Sequence, residues 1–169
     1  MAETTVRRAD TVSRRSATAV PTWLPITSLV IALLGLGVSI YMTFEHFTGN
    51  TTLACSSTGV INCAAVTTSK QSMVFGVIPV AVLGLVFFVG IIPLLLPAAW
   101  RINTDLVRRG RIAAVGIGVL FVFYLIFVEL FSVGKICEYC TAVHILTFLL
   151  FGVIVFGTAS LEPVAKQRS

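Results

Sequence analysis

The chain has 169 residues, of which 57% are apolar and only 11% charged, whereas soluble domains carry roughly a quarter charged residues. That balance excludes an ordinary water-soluble domain and indicates a membrane protein. The formal net charge of +5 is distributed in separate clusters between apolar runs, which argues against a nucleic-acid surface.

The chain opens with MAETTVRRADTVSRRS, a polar and basic stretch without periodicity. Residues 1–20 are expected to form a disordered cytoplasmic tail whose arginine pairs act as topology signals. Four apolar segments follow, at 23–44, 74–96, 112–131 and 140–158, each near the 20 or so helical residues that a hydrocarbon core requires. The first runs well past the apolar core of a secretory signal and is followed by EHFTGN rather than a small-residue cleavage site, so it is expected to be retained. The segments predict an all-α membrane protein: a four-helix transmembrane bundle over 21–160, with a second cytoplasmic tail at 161–169. Pro79 and Pro93 fall inside the second segment and Pro25 near the start of the first, where membrane helices tolerate them. Gly35, Gly37, Gly76, Gly84 and Gly90 are assigned to close helix packing.

Ten of the twelve Lys and Arg residues fall in three stretches: Arg7, Arg8, Arg14 and Arg15; Arg101, Arg108, Arg109 and Arg111; Lys166 and Arg168. These are alternate connections, so four spans put them all on one side, and the positive-inside rule makes that side cytoplasmic. Trp23 and Trp100 then stand at the cytoplasmic ends of their segments, where interfacial indoles are expected. The loop 45–73 and the turn 132–136 lie outside, in the plasma-membrane topology that this implies.

The same topology carries all four cysteines to the extracytoplasmic side, where disulfides persist. Cys55 and Cys63 lie in the first outer loop, and Cys137 and Cys140 form CEYC at the start of the fourth segment. A helix start places the latter two about one turn apart on a similar face and favours a thiolate, with Lys135 adding positive charge and Glu138 offsetting it. Four cysteines allow three pairings, and spacing selects none of them. Two fixed disulfides stapling an outer cap would use the same residues; a zinc site of four thiolates fits poorly, because C-x7-C departs from the usual short spacing. The loop around Cys55 and Cys63 is small and polar, with Gly59 between them, and is expected to be mobile enough to shuttle.

Repeated thiol oxidation requires an electron acceptor, and the chain has neither a CxxCH haem site nor a GxGxxG fingerprint. A lipid-soluble quinone reaching the outer half of the bundle is the inferred acceptor. His144 lies one helical turn beyond Cys140, placed to hydrogen-bond a quinone oxygen or carry a proton, and Glu129 is an ionisable group within a span, a functional candidate by position. Phe75, Phe127, Phe131 and Tyr139 are candidate aromatic walls.

The succession CSSTGVINC, SKQSMVFGVIP and CEYCTAVH within four apolar segments closely resembles the vitamin K epoxide reductase (VKOR) family, over residues 23–160. The resemblance implies that Cys137 and Cys140 are the active-site pair, with Cys140 nearest the quinone and Cys137 exchanging with the loop. It implies that Cys63 links transiently to Cys137 while Cys55 meets the partner thiol. Ser69 matches the family's hydroxyl residue. Ser72 stands where vertebrate members carry asparagine, and His144 where they carry tyrosine, and both departures favour the bacterial, DsbB-like branch. That branch implies reoxidation of a DsbA-like thioredoxin-fold partner and transfer of two electrons to a quinone of menaquinone or ubiquinone type, without a metal. The chain ends at LEPVAKQRS soon after the fourth segment, so the partner is expected to be a separate protein. Epoxide or quinone reduction proper, and a non-enzymatic membrane scaffold with structural disulfides, are the alternative readings.

Overall fold

In the computed structural model, the described residues are 20–49, 54–55, 59–67, 69, 72–74, 77–102 and 104–166, with side chains described as far as 159. Residues 1–19 of the expected N-terminal tail lie outside them.

Local chemistry sets where each helix begins and ends. The first, α1 (Trp23–Phe47), accommodates Pro25 because first-turn N–H groups have no intrahelical acceptor. It stops where Thr48 donates from its backbone N–H and its hydroxyl to the Phe44 carbonyl, at 3.0 and 2.9 Å. Gly49 follows with φ of 76°, the left-handed conformation that closes many helices.

The second apolar run departs from the expected helix over 74–96. Its first residues form a small hairpin, β1 (Met73–Val74) paired antiparallel with β2 (Ile78–Pro79). Helix α3, which follows the five-residue α2 (Cys63–Thr67), occupies only Val80–Leu95. Proline explains both limits, since its ring pushes the preceding residue out of the helical region. Ile78 is therefore extended ahead of Pro79, and Leu96 (φ −57°, ψ 142°) ahead of Pro97. Pro97 then begins a short helix, α4 (Pro97–Ile102), where a missing N–H costs nothing. Of the two prolines expected inside the second helix, only Pro93 is there.

Helix α5 (Asp105–Phe127) starts earlier than the expected residue 112, because Thr104 caps it by accepting from the Val107 N–H at 3.4 Å. It continues as a π-helical stretch, Val128–Val133. Gly134, with φ of 64°, ends that stretch by donating its N–H to the Glu129 carbonyl at 2.9 Å. The last helix is α6 (Glu138–Lys166). Among the described residues three helical stretches are long and apolar enough to cross a membrane: Trp23–Phe47, Asp105–Val133 and Glu138–Ala159. The 16-residue α3 is about 24 Å long at 1.5 Å per residue, shorter than a typical hydrocarbon core.

The long helices pack side by side, α1 against α3 and α6, and α5 against α6 and α3. Lipid is as apolar as leucine, so close van der Waals fit must hold such helices together. Glycine supplies that fit at three crossings: a Cβ on Gly35 would enter the Phe88 ring, one on Gly118 the Phe87 ring, and one on Gly157 the Leu24 side chain. Gly84 meets the Ser39 hydroxyl in the same way, whereas Gly37 and Gly90, expected to pack, border open space. The mid-bundle core comprises Ala32, Phe88, Ile91, Leu95, Val115, Leu150 and Ile154. Large apolar side chains also cover the outside, Leu120 and Phe123 among them, as a lipid-facing surface requires. The buried Thr147 and Thr158 hydroxyls are satisfied within their own helices, Thr147 donating to the Val143 carbonyl at 2.8 Å and Thr158 to that of Ile154 at 2.7 Å, whereas the buried Ser39 hydroxyl has no partner among the described residues.

At the end of the bundle opposite the cysteines, Trp23 is exposed and Trp100 is buried. The Arg111 guanidinium lies 3.6 Å from the Trp100 ring centroid and donates from Nε to the Leu94 carbonyl at 3.0 Å. Arg111 is therefore not a loop charge. It is a fully buried side chain that satisfies one of the last carbonyls of α3.

Candidate functional site

The loop ahead of α2 docks onto the turn ahead of α6. Ile61 and Ile136 form a parallel bridge, in which Ile136 donates to the Val60 carbonyl at 3.0 Å and Asn62 donates to the Ile136 carbonyl at 3.1 Å. Lys135 Nζ donates to the Gly59 carbonyl at 2.8 Å, and Gly59 takes a φ of 59°. Asn62 also caps α2, its Oδ1 accepting from the Ala65 N–H at 2.9 Å. These bonds fix the residue that follows Asn62, so Cys63 is buried in one cluster with Cys137, Met42 and Val66. Cys55 and Cys63 are joined as a disulfide, with their Cα atoms 6.1 Å apart, and Cys137 and Cys140 are free thiols. Of the three pairings left open by the sequence, the structure holds this one.

Cys137 is the N-cap of α6. Its carbonyl accepts from the Thr141 N–H at 2.9 Å, and its Sγ accepts from the Cys140 N–H at 3.4 Å. The sulfur thus takes the place of the usual capping oxygen. A hydrogen bond from the Cys140 thiol holds the Cys137 thiol below its ordinary pKa, against the opposing effect of burial. Tyr139, between the two cysteines, reaches the other way: its hydroxyl donates to the Ala54 carbonyl at 2.8 Å. The Ala54 N–H donates to the Tyr41 hydroxyl at 3.2 Å, and the two tyrosine rings lie 5.1 Å apart. The residue preceding Cys55 is thereby gripped through both of its backbone polar groups. Nothing in the cysteine spacing signals this grip, because a backbone carbonyl has no side-chain signature.

Beneath the cysteines lies a cavity of about 330 Å³. Six of the residues selected from sequence line it: Cys140, His144, Glu129, Ser69, Ser72 and Tyr139. Phe75 lies outside the described residues. Cys55, Cys63 and Cys137 are not among the residues that line the cavity. Phe87, Phe88, Phe121 and Tyr139 supply aromatic walls. Phe127 and Phe131, also candidates, instead stack on each other at 4.8 Å and are exposed outside. The two serine hydroxyls are engaged within their own loop: Ser69 Oγ donates to the Val66 carbonyl at 2.8 Å and accepts from the Ser72 N–H at 3.1 Å. Ser72 Oγ lies 2.8 Å from the Thr67 carbonyl and 2.6 Å from that of Ser69. They shape the wall more than they offer protons to a ligand. His144 and Glu129 are both buried, at 5% and 7% exposure. Glu129 sits on the π-helical stretch, an irregularity frequent at functional sites. Its carboxyl interacts with the Cys140 thiol and the Cys137 backbone. No group of three or more His, Cys, Asp or Glu side chains that would hold a metal occurs among the described residues.

An apolar cavity of this size is at the lower end of the range that encloses small organic ligands. It presents one thiol, two imidazoles and one carboxyl among hydrocarbon walls, a setting suited to a flat, apolar ring bearing oxygen acceptors. The model of one protein family, the vitamin K epoxide reductase family, matches residues 26–155. No curated protein matches the chain.

Proposed function

The chain belongs to the vitamin K epoxide reductase family, and from that premise we propose that it is a membrane thiol:quinone oxidoreductase that sustains disulfide formation. It is a membrane protein of an oxidoreductase family with disulfide chemistry; the finer assignment is a DsbB-like route from a thioredoxin-fold protein in trans to a membrane quinone. The observation that carries it is the stacking of three elements: a closed loop disulfide, a free Cys137 buried beside Cys63, and Cys140 on the wall of an apolar cavity.

The proposed order of thiol exchange is the one the family resemblance implies, and that stacking supports it. A partner thiolate attacks Cys55, forming a mixed disulfide and releasing Cys63 as a thiolate. Cys63 attacks Cys137 of an oxidised Cys137–Cys140 pair and releases Cys140. The partner's second thiol displaces Cys55, which attacks Cys63, restoring the loop disulfide and leaving Cys137 and Cys140 reduced. The arrangement of closed loop pair and free CxxC pair corresponds to this point of the cycle. A quinone bound in the cavity supplies a two-electron, two-proton acceptor. Cys140, with Ser69, Ser72, Phe75, His144 and Glu129, would bound its ring, and Cys137 and Cys140 would return to a disulfide as two electrons and two protons leave.

The proposed topology is multi-pass in the plasma membrane, with both termini cytoplasmic and the cysteines outside, and with α3 as the fourth, shorter crossing. It rests on the three basic stretches sharing one side. The proposed division is a basic tail at 1–20, the family domain at 21–160 and a tail at 161–169. Purified protein supplied with a dithiol and a water-soluble quinone analogue tests the reaction through quinone absorbance. Loss of absorbance that disappears with Cys137→Ala or Cys140→Ala is expected. With a reduced thioredoxin-fold protein as donor, Cys55→Ala and Cys63→Ala should also block turnover, while sparing it with the small dithiol. Wild-type turnover no faster than that of Cys140→Ala would overturn the assignment.

A further inference from the structure

We propose that Glu129 is the proton acceptor for Cys140, taking the thiol proton as the cysteine pair is oxidised and releasing it into the cavity. The inference rests on the exchange reading above and assigns a role within it. Cys140 gives up its proton facing an apolar cavity, where an isolated thiolate is costly. A neighbouring base that accepts this proton keeps the local charge constant.

Glu129 meets the geometric requirement. It is more than nine-tenths buried, it lines the same cavity as Cys140, and its carboxyl interacts with the Cys140 thiol, which also interacts with Cys137. Its Oε1 has no hydrogen-bond partner among the described residues. The carboxyl thus has acceptor capacity to spare. The π-helical stretch helps to produce this placement. Its wider turn, closed by Gly134 donating to the Glu129 carbonyl, re-aims side chains relative to a continuous α-helix. His144 lines the cavity one turn deeper on α6.

The other titratable groups near Glu129 are Cys137 in the turn before α6, Cys140, Tyr139 and His144 on α6, and His46 on the cavity wall contributed by α1. Glu45 is buried on α1 at the same end. The balance is simple. Cys137 and Cys140 together lose two electrons and two protons as their S–S bond forms; Glu129 carries the Cys140 proton, and the quinone takes both electrons and two protons to become quinol.

The decisive readout needs no quinone. In reduced, quinone-stripped protein, the alkylation rate of Cys140 is followed across pH by the mass of its peptide. A proton shared with Glu129 gives a two-step profile, and Glu129→Gln should collapse it to one step while slowing quinone-linked thiol oxidation roughly 100-fold. Glu129→Asp should restore the two-step profile, which a merely structural role would not predict. An unchanged profile in Glu129→Gln overturns the proposal; if that variant does not accumulate, a one-step profile in the wild type does the same. A two-step profile in wild-type protein that fails to reduce quinone would sink the exchange reading and leave the shared proton standing.

Discussion

Cys63 and Cys137 are buried in one cluster, exposed by 1% and 0%, and the pairing of Ile61 with Ile136 holds them there. Cys63 therefore need not travel to reach its exchange partner. This alters the expectation of a freely mobile shuttle loop: its second half is docked by backbone hydrogen bonds.

The docking predicts that Cys63 and Cys137 join without help from a partner protein. In a Cys55→Ala, Cys140→Ala double variant, a mild oxidant should produce an internal Cys63–Cys137 disulfide, detected as a mass loss of about two hydrogens without dimer formation. Adding Asn62→Ala removes the cap of α2 at a cost of about 1 kcal/mol. If closure needs the capped geometry, its rate should fall roughly fivefold. Dimers in place of the internal bond would contradict the docked arrangement.

Tyr139 offers a second test, because its hydroxyl holds Ala54 from within the CEYC sequence. Tyr139→Phe keeps the ring against Tyr41 and deletes one hydrogen bond, worth about 1 kcal/mol net. The Cys55–Cys63 disulfide should then be reduced by a small thiol several-fold faster, while quinone-linked oxidation of a small dithiol stays near wild type. Equal reduction rates would show that the grip does not restrain Cys55.

The helices were legible because apolar runs and basic clusters are direct consequences of the bilayer. The limits of α3 were less so. Both Ile78–Pro79 and Leu96–Pro97 carry the steric signal for a helix boundary, but membrane helices tolerate proline often enough to mask it. Charge counting treats Arg111 as a loop residue, since composition reports sign and position but not burial; its partner is a backbone carbonyl. Cys140, His144, Glu129 and Tyr139 could be chosen by type and position, Cys140 and His144 most directly through their four-residue separation, and Ser69 and Ser72 could be chosen through the family resemblance. The Ile61–Ile136 bridge and the Ala54 grip could not, because both are backbone contacts between distant segments. Phe127 and Phe131 have the right chemistry for a ring site and the wrong face of their helix.

Gly35 is the tightest test of the bundle. A methyl group there would enter the space of the Phe88 ring, and Phe88 is fully buried in the mid-bundle core. Gly35→Ala should destabilise the fold by about 1–3 kcal/mol through overpacking, lowering the thermal midpoint in detergent. Gly37→Ala, on the same helix but bordering open space, should leave it nearly unchanged. Equal midpoints for the two variants would argue against the α1–α3 contact.

The pH dependence of Cys137 tests the cap at the start of α6. The Cys140 thiol donates to its sulfur and lowers its pKa, so the thiolate is favoured in the folded protein. An ordinary cysteine, with a pKa of about 8.5, loses about tenfold in thiolate for each unit of pH below that value. Cys137 should keep exchanging with a small disulfide further into that range. Cys140→Ala removes the donor and should move the midpoint of the rate profile to higher pH, lowering the rate at neutral pH but leaving the alkaline plateau. Cys140→Ser supplies a hydroxyl donor and should recover part of the shift. The measurement is the mass-resolved rate of Cys137 modification at each pH, and superimposable curves for wild type and Cys140→Ala would rule out the Cys140 thiol as the cause.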